Sequence, residues 1–167
     1  ATKQGDYFSF AFVDNMPKFD TSEPDVMEYL TGIAKHWVCD WKVDGIRFDV
    51  GNEISHAFLK HLRLELKKCN PKLFLLGEIW HDAFPWLLGD EYDSTMNYPF
   101  LACVNNFWAD KTQSGTDFMH GINQCYSMYY EQVNRVLFNL LDSHDTDRLM
   151  ERCHGNVDMF LAQLTVL

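Results

Sequence analysis

The spacing of apolar residues switches between two periods along this chain. Over residues 45–50 the alternation is strict: Ile46, Phe48 and Val50 face one way, Arg47 and Asp49 the other. That is the period of a strand. Upstream, Val26, Tyr29, Leu30, Ile33, Ala34 and Trp37 recur at helical spacing. Ser22 with Asp25 three places on reads as a capping box for that helix, and Pro24 fits its first turn. Downstream, Phe58, Leu62, Leu66 and Cys69 form a second helical stripe, which Asn70-Pro71 ends. Residues 73–76 are a continuous apolar run, as in a strand covered on both faces. Residues 92–96 are a weaker strand and 136–141 a further one, with helical patterns over Leu101 to Trp108, over Phe118 to Tyr129, and from Asn156 onward. Residues 1–20 look irregular, with aromatics at Tyr7, Phe8, Phe10 and Phe12. Strands alternating with helices predict about four right-handed βαβ units and a parallel sheet, an α/β fold.

Composition narrows the possibilities. The chain has 167 residues, 14 Lys and Arg against 24 Asp and Glu, and a formal net charge of −10. An acidic chain with no basic patch argues against nucleic acid as partner. At 47% hydrophobic and 15% aromatic it can build a core and is no disordered tail. No apolar run approaches the roughly 18 residues of a membrane span. No charged-then-apolar leader pattern opens the chain. The five cysteines, at 39, 69, 103, 125 and 153, are odd in number, widely spaced and without a C-x-x-C pair. That argues against a zinc site or a disulfide framework. Five buried free thiols in a reducing compartment, and hence a cytoplasmic location, are the expectation.

The chemistry gathers at strand ends. Arg47 and Asp49 close the first strand, Glu78 follows the second, and His144 and Asp145 follow the last. In a parallel sheet these ends share one face, where α/β folds build their sites. Carboxylates brought together repel one another, so stability alone gives no reason for the arrangement. Two carboxylates flanking a bond are what glycoside hydrolysis requires, one ionised to attack and one protonated to donate. Arg47 beside Asp49 favours the ionised form and makes Asp49 the nucleophile candidate. Trp80, on the same strand face as Glu78, favours a proton there and makes Glu78 the acid. Asp145 would hold sugar hydroxyls, with His144 a neutral hydrogen-bonding neighbour. Trp80, Phe84, Trp86, Tyr92 and Tyr98 suit stacking on sugar rings. Taken singly, Asp49 with Arg47 reads as a strand-end ion pair, Glu53 as a charge favouring a helix start, and Trp86, Phe100, Phe107 and Trp108 as core. His144, Asp145 and Asp147 make a weak metal-ligand set.

Asp44-Gly45-Ile46-Arg47-Phe48-Asp49-Val50, Gly77-Glu78-Ile79-Trp80 and residues 138–145 resemble three ordered signatures of the alpha-amylase family, glycoside hydrolase family 13. Met16-Pro17-Lys18-Phe19-Asp20, residues 50–54, Trp80-His81-Asp82-Ala83 and residues 96–100 resemble its neopullulanase, cyclomaltodextrinase and maltogenic amylase subgroup. The resemblance implies a partial (β/α)8 TIM barrel. Residues 1–20 would end the loop domain after barrel strand three, and 21–167 would be the second half of the barrel, strands four to seven with their helices. It implies Asp49 as nucleophile, Glu78 as acid/base and Asp145 as transition-state stabiliser. Arg47 and His144 would line the site, with Glu53 near the acceptor side. The implied reaction is retaining cleavage of α-glucosidic bonds in maltodextrins, cyclomaltodextrins or pullulan, with transglycosylation alongside. No cofactor is required; calcium is known in the family, but no ligand set is visible here. The parent protein could be a homodimer. Phe19-Asp20 stands where the subgroup usually has Leu-Asn, and Gly51 where it often has Ala. The strand-three signature and strands one, two and eight are absent, and a full barrel needs about 250 residues. Residues 1–167 alone are therefore expected to be inactive. The rival reading is a non-catalytic barrel relative that binds sugars or a partner; all three carboxylates being present counts against it.

Overall fold

A computed structural model describes residues 7–167. Of the segment 1–20, residues 1–6 lie outside the described residues. The chain divides into two compact units, Ala1–Ile46 with Glu53–Phe74, and Arg47–Asn52 with Leu75–Leu167.

In the first unit, helices α1 (Pro24–Cys39) and α2 (His56–Cys69) pack on each other. Pro24 occupies the first helical position, where its missing N–H has no partner to lose. The expected capping box does not form. The N-cap is Glu23, and the Ser22 hydroxyl is taken by the Asp20 carboxylate at 2.5 Å. The buried face of α1 also differs from expectation: Thr31, Ala34 and Val38 are buried, while Tyr29 and Trp37 are exposed. Helix α2 buries Phe58, Leu59, Leu62 and Leu66 on one stripe, each worth roughly 1.5–3 kcal/mol on removal from water. Lys35 donates to Glu65 at 3.0 Å and Lys68 pairs with its other oxygen. These hydrogen bonds, that of Lys68 foremost, hold the Glu65 carboxyl down at about 2.

The cysteines correct the sequence reading. Cys39 and Cys69 form a disulfide, with Cα atoms 5.7 Å apart. Each is the last residue of its helix. The Phe74 N–H donates to the Asp44 carbonyl, and the Glu78 N–H to that of Phe48. Each of these pairs repeats the 30-residue separation of the two cysteines. Consecutive βα repeats thus lie in step, and equivalent positions become neighbours. A separation that looked wide along the chain is one structural repeat. Cys103, Cys125 and Cys153 are free and buried, as expected.

Strands β1 (Gly45–Phe48), β2 (Phe74–Gly77), β3 (Ser94–Asn97) and β4 (Phe138–Asn139) form one sheet in the order β1-β2-β3-β4. β3 runs parallel to β2, with Leu76 opposite Ser94, and β4 parallel to β3, with Met96 opposite Phe138. Chain order equal to spatial order is the winding of a barrel; a doubly wound sheet reverses. β4 keeps two of the six expected residues; Phe138 on this edge strand and Val136 just before it are exposed.

In the second unit, α3 (Tyr98–Trp108) follows β3 directly, capped by the Asn97 side chain accepting from the Phe100 N–H. A Ser114–Asp117 capping box opens α4 (Gly115–Ser127). Three short helices follow, α5 (Glu131–Asn134), α6 (Leu149–Arg152) and α7 (Val157–Leu164). Their core joins Phe100, Val104, Cys125, Leu141, Leu149 and Cys153. Trp108 and Phe118 pack against it, as the core reading expected of Trp108, and Phe107 stacks on Phe118. Among the described residues, no helix is long and apolar enough to cross a membrane.

Candidate active site

β1 ends at Phe48, and the chain then turns sharply. Val50 has φ 45°, a left-handed conformation costly for a β-branched residue. The turn folds the tip of β1 around Glu78. The Val50 N–H donates to Glu78 Oε2 at 2.8 Å, and the Gly51 N–H to the Glu78 carbonyl at 2.9 Å. The Arg47 guanidinium bridges two carboxylates, with Nη1 on Asp49 Oδ1 at 2.5 Å and Nη2 on Glu78 Oε1 at 2.9 Å. The Asp49 side chain is 73% exposed and that of Glu78 only 5%.

Glu78 and Trp80 lie past the end of β2. Trp80 meets Glu78 differently from the apolar cover expected: its indole N–H donates to Glu78 Oε1 at 3.3 Å. Its ring stacks on Tyr98, centroids 4.0 Å apart and planes 10° off parallel. Half of Trp80 is exposed. Tyr92 and Tyr98 are buried, which corrects the reading of them as open stacking platforms.

Asp145 reaches the same neighbourhood through Tyr98. The Tyr98 hydroxyl donates to Ser143 Oγ at 3.3 Å, and Ser143 Oγ accepts the Asp145 N–H at 3.2 Å. Burial pushes the Tyr98 phenol up, and the charges of Glu78 and Asp145 push the same way. His144 pairs with Asp145 at 3.1 Å. Asp142 turns elsewhere, to Arg148 and to the Leu149 N–H at the start of α6. Glu53 belongs to the first unit, where Lys18 holds it at 3.3 Å. The structure thus joins Arg47, Asp49, Glu78 and Trp80 directly, and relates Asp145 with His144 to them by way of Tyr98. Sequence reasoning missed the hydrogen-bonding roles of Tyr92, Tyr98 and Ser143. Among the described residues, no group of three His, Cys, Asp or Glu side chains is placed to hold a metal.

The family described as "Alpha amylase, catalytic domain" matches residues 1–167. The chain belongs to the alpha-amylase family. It is 44% identical over 161 residues to the maltogenic alpha-amylase of Bacillus acidopullulyticus, covering 96% of this chain and 27% of that protein. It is 42% identical over 171 residues to neopullulanase 2 of Thermoactinomyces vulgaris, covering 99% and 29%. A solved cyclomaltodextrinase superposes with a TM-score of 0.91 at 40% identity, covering 95% of this chain and 27% of that one. The chain therefore spans a little over a quarter of the length of each of these three relatives. The catalytic domain of this family is a (β/α)8 barrel, and the four parallel strands in sequential order are part of one.

Proposed function

We propose that the protein carrying this chain is a retaining glycosidase that cleaves α-glucosidic bonds of maltodextrins, cyclomaltodextrins or pullulan. Asp49 attacks the anomeric carbon and forms a glycosyl ester while Glu78 gives its proton to the departing oxygen. Glu78, now a carboxylate, takes a proton from water, whose oxygen displaces Asp49 and restores both groups. A sugar hydroxyl in place of that water gives transglycosylation, and Glu53 influences the balance. Asp145 and His144 hold sugar hydroxyls, and Trp80 offers its exposed face to a ring.

The observation that carries this reading is the Arg47 fork, with one terminal nitrogen on each of Asp49 and Glu78. A shared guanidinium holds the two carboxylates close to each other, which supports the shorter-separation, retaining reading over the inverting one. No cofactor enters this reading. Residues 21–167 are assigned to barrel strands four to seven, and 1–20 to the end of the preceding loop domain. β1 and β4 each leave one sheet edge unpaired in the described residues, so residues 1–167 alone are expected to turn over no α-glucan. A cytoplasmic location belongs to the same reading and carries a condition. In a reducing compartment Cys39 and Cys69 stay thiols, which alkylation in intact cells reads directly.

The test is Asp49→Asn in the full polypeptide. Hydrolysis of cyclomaltodextrin falls on the order of 10³-fold or more. Unchanged hydrolysis contradicts the nucleophile assignment.

A further inference from the structure

Tyr92 lies outside the carboxylate cluster, yet it touches both strand tips that carry it. It is 2% exposed. Its hydroxyl donates to the Gly51 carbonyl at 3.0 Å, and its ring sits 5.4 Å from that of Phe48. A Cβ added at Gly77 would lie 2.6 Å from the Tyr92 ring. A Cβ added at Gly51 would lie 2.9 Å from the Tyr92 hydroxyl oxygen and 3.2 Å from Cζ. The glycines are therefore the space the tyrosine occupies. Gly51 stands where the resembled subgroup often has Ala, and here a methyl group would collide with the phenol oxygen itself.

What the hydroxyl holds is the strained turn. The Gly51 carbonyl it binds follows Val50, whose φ of 45° turns the Val50 N–H onto Glu78 Oε2. The Gly51 N–H binds the Glu78 carbonyl in the same turn. Without an anchor, a β-branched residue relaxes toward negative φ, and the Val50 N–H leaves the carboxylate. Burial, with the nearby Glu91 charge, pushes the Tyr92 phenol far up, so it remains a donor at every working pH.

We propose that Tyr92 and Gly51 are a matched pair of positioning residues: the tyrosine hydroxyl, admitted by the missing side chain at Gly51, locks the Val50 turn that orients Glu78. The inference rests on the assignment of Glu78 as the acid. Neither residue meets substrate, so their loss lowers kcat and leaves KM nearly unchanged. A misplacement of this kind costs tenfold or more, up to about 10².

The experiment is steady-state kinetics of the full polypeptide on cyclomaltodextrin for Gly51→Ala, Tyr92→Phe and the double variant, with Tm recorded for each. Gly51→Ala is expected to lower kcat about tenfold or more. Tyr92→Phe lowers it a few-fold. The double variant exceeds Gly51→Ala alone, because removing the oxygen removes the 2.9 Å collision. Should Gly51→Ala fail to fold, Tyr92→Phe decides by its kcat against KM. Wild-type kcat in Tyr92→Phe, or a double variant no better than Gly51→Ala, overturns the pairing. Glu78→Gln separates the two levels. If it is inactive while Tyr92→Phe is wild-type, the pairing alone fails; if it is fully active, the acid assignment fails and takes the pairing with it.

Discussion

At the tips of β1 and β2, Glu78 is 4% exposed and its side chain accepts from Arg47, Trp80 and the Val50 N–H. Past the end of β4, the Asp145 side chain is 44% exposed, pairs with a more exposed His144, and has its backbone N–H on Ser143. The first carboxylate is over-determined and the second lightly tethered. A carboxylate removed from water needs every lone pair met, or it costs several kcal/mol. One left half in water does not, and stays free to adjust. Under the proposed reaction this is the useful division. The group that passes a proton must keep its place relative to Asp49, whereas the group that holds hydroxyls must meet sugars that arrive in varied poses. The Arg47 fork belongs wholly to the first region, and Tyr98 reaches the second through Ser143.

The comparison breaks most readily at Arg47. Arg47→Ala removes the fork that bridges both acids and positions Asp49 against Glu78, and activity falls on the order of 10²-fold or more. Arg47→Lys recovers little of it, since a single ammonium cannot bridge both acids as the planar fork does. Cyclomaltodextrin kinetics on the two variants read this directly, and full rescue by lysine would mean that charge alone matters.

Tyr98→Phe sharpens the other side. It removes the bond to Ser143, a net contribution of about 0.5–1.5 kcal/mol, and so changes kinetics only a few-fold. The effect falls on KM if Asp145 serves to hold sugars. A loss as large as that of Arg47→Ala would show the two regions to be equally rigid.

In the first unit, Glu65→Gln removes a carboxyl whose folded-state value is depressed to about 2 by Lys68 and Lys35. Its contribution is present above the unfolded value near 4.5 and is lost as pH falls toward 2. The Tm difference between wild type and Glu65→Gln is therefore largest at neutral pH and closes across that window. The gap is small throughout, because both lysine partners are exposed and solvent screens the pairs. A gap that widens in acid contradicts the pairing.

The smallest effect is chemical. Cys103, Cys125 and Cys153 are all buried, and burial pushes the Cys125 thiol up to about 11 and raises that of Cys103, so native oxidised protein shows no rapidly reacting thiol. Unfolding without reductant exposes three, and a count of five would mean Cys39 and Cys69 are unpaired.

The order of strands and helices was legible because apolar period survives in any surroundings, and the strand-end carboxylates were legible because a parallel sheet delivers them to one face. The details that escaped depend on neighbours distant in sequence. Ser22 had the right spacing for a cap but found Asp20 first. Tyr29 and Trp37 had the right period for the buried stripe, but α2 covers the face of Thr31, Ala34 and Val38 instead. Cys39 and Cys69 are partners only because two βα repeats lie in step. Tyr92 and Tyr98 share a composition with sugar platforms, and burial alone separates them from Trp80. Even so, Gly51 and Gly77 left a trace, since small residues at two adjacent strand tips mark where something large passes close by.

The central claim is that Asp49 and Glu78 act on one sugar carbon, with Asp49 forming the bond. A 2-deoxy-2,2-difluoro-α-glucosyl donor with a strong leaving group, or a 5-fluoro-α-glucosyl fluoride, slows release of the glycosyl ester more than its formation. Incubating the full polypeptide with it, followed by proteolysis and mass spectrometry, is expected to place one sugar on the peptide containing Asp49, and none in Asp49→Asn. A sugar on Glu78 or Asp145, or turnover with inversion and no adduct, would contradict the account.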